Sequence, residues 1–174
     1  MTQRSETAQR FRDELRACLH IGRWVDEVAD AAPYDSVAAL LAAASEAASP
    51  LSPAEIDEAL AAHPRIGEKP AGDGQAQRFS RSEQSSADAG DAGDAGLAAA
   101  IAAGNHDYEE RFGRVFLIRA AGRSRAEILS ELQRRLELDD AAELAVVGEQ
   151  LREITLLRLE GLYADAAAPI GGVA

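Results

Sequence analysis

The sequence predicts an all-α protein, a single-domain bundle of about seven to nine helices, and three observations carry that expectation. Apolar residues make up 47% of the 174-residue chain but aromatics only 5%, an alanine-weighted balance that suits closely packed helices better than a strand-rich sandwich. Serine followed three residues later by glutamate recurs ahead of apolar runs, which is the spacing of an N-terminal capping box. Only one convincing extended apolar run, VFLIRAA at 115–121, interrupts the helical pattern, and one strand cannot build a sheet. A chain of this length can bury a core as one domain, residues 1–174, without disulfides or a metal staple.

Residues 5–19 read as an amphipathic helix whose apolar side carries Phe11, Leu15, Cys18 and Leu19; the single cysteine belongs to the core. Trp24 and Val25 lie between this helix and the next, which Ser36 opens as N-cap and which closes before Pro50. The stretch LSPAEIDEALAAHP is the best-punctuated helix: Ser52 caps it, Pro53 takes the first helical position and Glu55 completes the box. Pro64 disfavours helical geometry at His63, so His63 leaves that helix at its C-terminal edge. Residues 68–79 read as a polar, functional loop. Ser80 and Glu83 stand in cap-and-box spacing at the start of the next helical stretch. The DAG repetition at 88–96 divides that stretch into two helices with a soft joint, because each helical glycine costs about 1 kcal/mol against alanine. Ser124 and Glu127 form another capping box, for a helix to about Leu138, and Asp140 and Glu143 repeat the device for a final helix to about Leu162. The terminal PIGGVA, within residues 164–174, reads as a frayed tail.

A formal charge of -12 argues against nucleic-acid and anionic-membrane surfaces, since no excess of Lys and Arg is available to neutralise phosphates. The same field repels an anionic small molecule, so a site for one requires a local cation. The N-terminus has no apolar signal region, and no run approaches the roughly 20 residues of a membrane span. A cytoplasmic, membrane-free protein is the expectation. There is no phosphate loop, dinucleotide fingerprint, paired-cysteine site or histidine pair at helical ligand spacing.

Three separated features remain. His63 precedes a proline at a helix end, where the negative end of the helix dipole favours a protonated ring; capping of helix carbonyls accounts for it equally well. The SRSEQ segment at 80–84 is explained by a capping box except for Gln84. On the last helix Leu144, Val147, Leu151 and Ile154 mark an apolar stripe, and its next position is Arg158. Arg158 either snorkels to solvent or is buried against a carboxylate of the protein or of a ligand. His20 and His106 show no partner pattern and read as surface or capping residues.

In order, HPRIG, SRSEQ, NHDYEERFGRVFLIRAAGRS, ELQRRL and REITLLRLEGL resemble the 2-oxo-4-hydroxy-4-carboxy-5-ureidoimidazoline (OHCU) decarboxylases of urate breakdown. The resemblance covers about residues 8–163, with Trp24-Val25 and Pro33-Tyr34 standing where that family carries Trp-Val and Pro-aromatic pairs. It implies an all-helical, usually homodimeric, cofactor-independent enzyme that converts OHCU to (S)-allantoin and carbon dioxide. Carried over by motif, His63 is the catalytic histidine, Glu83 its acidic partner and Arg158 the late arginine. Pro64, Ser80 and Gln84 would contact substrate, and Phe116, Leu117, Ile118, Arg119 and Ala120 would offer it backbone groups; no metal site is implied. The chain departs from the family where Glu-Gln is followed by SSADAG rather than Ala-Gly-Leu, and where Arg111 replaces the lysine of Lys-Phe-Gly, which keeps charge but not hydrogen-bond geometry.

In that chemistry His63 handles the substrate hydroxyl or the incoming proton, because its ring titrates near neutral pH, Glu83 orients it, and Arg158 holds an anionic or carbonyl oxygen. Two rivals differ in what they require. A non-enzymatic helical adaptor, or an inactive relative, predicts no charge on the core stripe, and a metal-dependent hydrolase would need His63, His106 and carboxylates to converge.

Overall fold

The computed structural model describes residues 2–61, 63, 65–66, 74–88, 95–167 and 169–172, with side chains beyond those of 2–4, 77, 80 and 84–88. Eight helices form among them: α1 (Thr2–Cys18), α2 (Gly22–Asp30), α3 (Val37–Ala47), α4 (Pro53–Leu60), α5 (Gln75–Asp88), α6 (Ala95–Phe112), α7 (Arg125–Leu136) and α8 (Asp140–Tyr163). The described residues contain no strand, only an isolated antiparallel bridge, so the all-α expectation holds. None of their helices is long and apolar enough to cross a membrane. Contacts group the chain into two compact units, one of residues 1–59 and 151–174 and one of residues 60–150.

In the first unit α1 buries Phe11, Leu15 and Cys18, with Leu19 just beyond it, as its stripe predicts. The short helix α2, which contains Trp24 and Val25, has no counterpart in the sequence pattern. Its N-cap position, Ile21, supplies no side-chain cap; instead the backbone N–H of Gly22 donates to the Glu58 carboxylate of α4 at 3.0 Å. A cap borrowed from 36 residues away leaves no local signature. Arg12 of α1 pairs with Asp26 and Asp30 of α2, and the buried Trp24 indole donates to Ala44 O of α3 at 3.0 Å. Ser36 caps α3 by accepting from Ala39 N at 3.1 Å.

The box at the start of α4 closes as its sequence predicts: the Glu55 carboxylate accepts from Ser52 N at 2.8 Å and from its hydroxyl at 2.7 Å. Burial pushes the Glu55 carboxyl up, but hydrogen bonds from Arg23 and from Ser52 outweigh it and hold the group at about 2.

Within the C-terminal segment, residues 169–172 are not frayed. Tyr34 and Ile170 exchange backbone hydrogen bonds of 2.8 Å in both directions, and Ile170 is buried. Gly171 takes a φ of +74°, where a Cβ would lie 2.7 Å from the Phe11 ring, so glycine is required both for conformation and for space. A burial anchor of one residue is too short to register as a pattern.

The second unit packs α6 against α7. Gly104 permits the approach: a Cβ there would sit 2.5 Å from Leu132 Cδ2, and Leu132 is fully buried. Tyr108, Phe112, Phe116, Ile118, Ala120, Ile128 and Leu132 form one core cluster. The run at 115–120 forms neither helix nor strand, as expected of a lone apolar stretch. The box at Ser124 and Glu127 is formed. The expected device at Asp140 and Glu143 is not: Asp139 is the cap, its Oδ1 accepting from Ala142 N at 2.8 Å. The Glu143 side chain is instead buried beside Arg135, both with no exposed surface. Arg135 Nε donates to the two Glu143 oxygens at 2.9 and 3.0 Å, Nη2 adds a further bond to Glu143, and Nη1 donates to Leu117 O at 2.7 Å. The Tyr108 hydroxyl donates to the same carboxylate. Burial, and after it the hydrogen bond to Glu143, push that phenol above its ordinary value.

Both carboxylates have measurable consequences for stability. Glu143→Gln strands a buried guanidinium and is expected to cost about 3–5 kcal/mol in urea unfolding, whereas replacing Arg135 and Glu143 together by Met and Leu recovers most of the loss. Because the folded Glu55 carboxyl lies near 2 against an ordinary 4.5, its contribution to stability is complete above about 4.5 and is lost as pH falls towards 2. Glu55→Gln should therefore flatten the stability profile of the chain in that window.

Candidate active site

His63 stands just beyond α4, which ends three residues earlier than the sequence pattern suggests. The backbone N–H of His63 donates to Leu60 O at 3.0 Å and closes the turn, its side chain is half-buried, and its Nε2 is shielded from solvent. Pro64 lies outside the described residues. Residues 65 and 66 are tied to α6. Arg65 meets Glu109 through two parallel bonds, Nε to Oε1 and Nη2 to Oε2, the latter at 2.7 Å, and hydrogen bonding to Arg65 holds the Glu109 carboxyl below its ordinary range. Asn105 Nδ2 donates to Ile66 O at 2.9 Å, and the Ile66 side chain packs on the core cluster.

The second feature is rearranged relative to expectation. Residues 75–79, read as loop, form the first turn of α5, which Arg78 N opens by donating to Gly74 O at 3.0 Å. Glycine at the cap position offers no side chain to mark the start. Ser80 and Glu83 are thus inside the helix, and the capping-box explanation for them fails. Helical spacing puts positions 83 and 84 one turn beyond position 80. Glu83 is half-buried; the side chains of Ser80 and Gln84 are outside the described set. The DAG joint is bracketed by the end of α5 and the start of α6, and residues 89–94 also lie outside the described residues.

Phe116, Leu117, Ile118 and Ala120 are buried and Arg119 is half-buried. Two of the segment's backbone groups already have internal partners: Leu117 O accepts from Arg135, and Arg119 N donates to Gln150 Oε1 of α8 at 3.0 Å. The Phe116 ring lies edge-on to Tyr108 at 5.2 Å, and the Arg135 guanidinium sits 4.7 Å from its centroid.

Arg158 belongs to the first unit. It does not snorkel: it is 5% exposed on the same stripe as Val147, Leu151 and Ile154, and its Nη1 donates to Cys18 O, at the end of α1, at 3.3 Å. His63, Glu83 and the 116–120 segment all fall in the second unit. His106 is an exposed partner of Glu110 at 3.5 Å, and His20 is exposed. Among the described residues no three His, Cys, Asp or Glu side chains form a group that could hold a metal ion.

Sequence reasoning did not single out Asn105, Tyr108 and Glu109 on α6, Arg135 or Gln150, and it gave Glu143 only a capping role. A signal exists for the first three: Asn105, Tyr108, Glu109 and Phe112 are spaced three, four and seven apart, so one side of α6 serves the His63 segment, the buried ion pair and the aromatic core.

The family model for OHCU decarboxylase matches residues 4–160. The uric acid degradation bifunctional protein TTL of Arabidopsis thaliana is 31% identical over 158 residues, which is 91% of this chain and 49% of that protein; the chain spans about half the length of this curated relative. A crystal structure of an OHCU decarboxylase in the presence of (S)-allantoin superposes with a TM-score of 0.74 at 28% identity, covering 88% of this chain and 99% of that one. A crystal structure of (S)-allantoin synthase shares the fold, with a TM-score of 0.63, 18% identity and coverage of 88% of this chain and 50% of that one. With residues 4–160 matched by the family model, a stretch that takes in all but the last two residues of the motif-bearing segments, this chain belongs to the OHCU decarboxylase family.

Proposed function

We propose that the chain is a cofactor-independent carboxy-lyase converting OHCU to (S)-allantoin and carbon dioxide, working as a single catalytic domain in a cytoplasmic homodimer. The observation that carries this is the family match over residues 4–160. Two local findings add support. Ser80 and Glu83 sit inside α5 rather than at its cap, so capping no longer explains them. A guanidinium is buried at position 158, where an adaptor would place an apolar side chain.

The chemistry asks little beyond placement of protons and charge. Breaking the bond to the carboxylate leaves an electron pair that the conjugated ring accepts, so no external electron sink is required. The substrate hydroxyl gives up its proton and becomes a carbonyl, and a proton reaching the ring carbon from one face sets the S configuration. His63 handles one of these protons, Glu83 orients the imidazole and favours its charged form, and Arg158 supplies the local cation that a chain of net charge -12 needs to attract an anion. Pro64, Ser80, Gln84 and the backbone of residues 116–120 are the proposed substrate contacts.

The test uses substrate generated in place from urate by the two preceding enzymes. His63→Ala and Glu83→Ala are each expected to lower kcat by about 10²–10⁴-fold, and Arg158→Lys to raise KM. Folded His63→Ala or Glu83→Ala protein that decarboxylates at the wild-type rate overturns the assignment.

A further inference from the structure

We propose that Asn105 and the Arg65–Glu109 ion pair are positioning residues that hold the His63 segment in its working place; this rests on the decarboxylase reading above. α4 ends at Leu60, and past it Arg65 and Ile66 O are bonded by side chains of α6. The structure supplies two ties from one side of α6: the two-bond Arg65–Glu109 pair and the Asn105 bond to Ile66 O. They fall two and three residues after His63, and His63 N is itself bonded back to Leu60 O.

The chemistry of each tie fits placement better than stability. Glu109 keeps a quarter of its side-chain surface and Arg65 nearly half, and exposed ion pairs add little to folding. What the two parallel bonds do fix is orientation, since a guanidinium and a carboxylate meet edge to edge in one plane. Asn105 is buried, yet its Oδ1 meets no donor among the described residues, a cost that an apolar side chain would not carry. An apolar side chain could not, however, donate to Ile66 O. Aspartate, the same size, would set an acceptor against that carbonyl and repel it. Both residues act through His63 and neither is assigned a contact with substrate, so their loss should lower the rate of the chemical step more than it weakens binding.

The experiment compares Asn105→Asp, Glu109→Gln and Glu109→Asp with the wild type in the full chain, reading kcat, KM, thermal midpoint and hydrogen exchange of the His63 amide. Asn105→Asp and Glu109→Gln are expected to lower kcat at least about tenfold with KM changed less than about threefold. The His63 amide should exchange faster in both while the amides of α7 keep their protection. Glu109→Asp, which retains the carboxylate, should return kcat to within about threefold of wild type. The proposal is overturned if both disruptive variants keep kcat within about twofold, or if the lost activity only tracks a lowered midpoint with exchange faster throughout the chain. Should the wild type itself form no (S)-allantoin, the decarboxylase reading fails separately, and the exchange measurement still decides whether the two ties hold the segment.

Discussion

The Arg135–Glu143 pair is the constraint around which the second unit of this protein is arranged. Two charges with no exposed surface are costly unless every donor and lone pair is used. Here the guanidinium spends Nε and Nη2 on the carboxylate and Nη1 on Leu117 O, while the carboxylate also accepts from Tyr108. One buried ion pair therefore connects α6, α7, α8 and the 116–120 segment. Apolar packing alone would bury Phe116 and Ile118 but would not select which way the backbone between them faces; the bond to Leu117 O does. Gln150, which accepts from Arg119 N, fixes the same segment a second time.

From that fixed frame α6 reaches outward. Tyr108 and Phe112 face the core cluster, and Asn105 and Glu109, on adjoining positions of the same side, bond to Ile66 O and to Arg65. Arg158 serves α1 as a C-terminal cap, through Cys18 O, and a cation so placed also satisfies the carbonyl end of that helix.

Legibility in the sequence tracked the range of the interaction involved. Ser36, the Ser52–Glu55 box and the Ser124–Glu127 box are bonds within three residues, and each was readable. The core stripe of α1 and the break in pattern at Arg158 were likewise periodic features, though position alone left Arg158 open between snorkelling and burial, and the structure buries it. The helices and turns that were missed depend on distant partners. Gly22 is capped by Glu58, Ile170 pairs with Tyr34, and Glu143 forgoes its own helix terminus for Arg135. At α5 the local rule misled, because a serine and a glutamate three apart describe a helix interior as well as a helix start. For the proposed site, motif order nominated His63, Glu83 and Arg158, but the α6 residues that bond to Arg65 and Ile66 required knowing which side of that helix meets them.

The central claim is that this chain delivers a proton to one face of the decarboxylated ring. Its most direct test is to let the wild-type protein turn over freshly generated OHCU in D2O and to examine the allantoin by circular dichroism and proton NMR before it racemises. The account predicts product formed faster than the spontaneous reaction, S in configuration and deuterated at the single stereocentre. Racemic allantoin appearing at the spontaneous rate would contradict it.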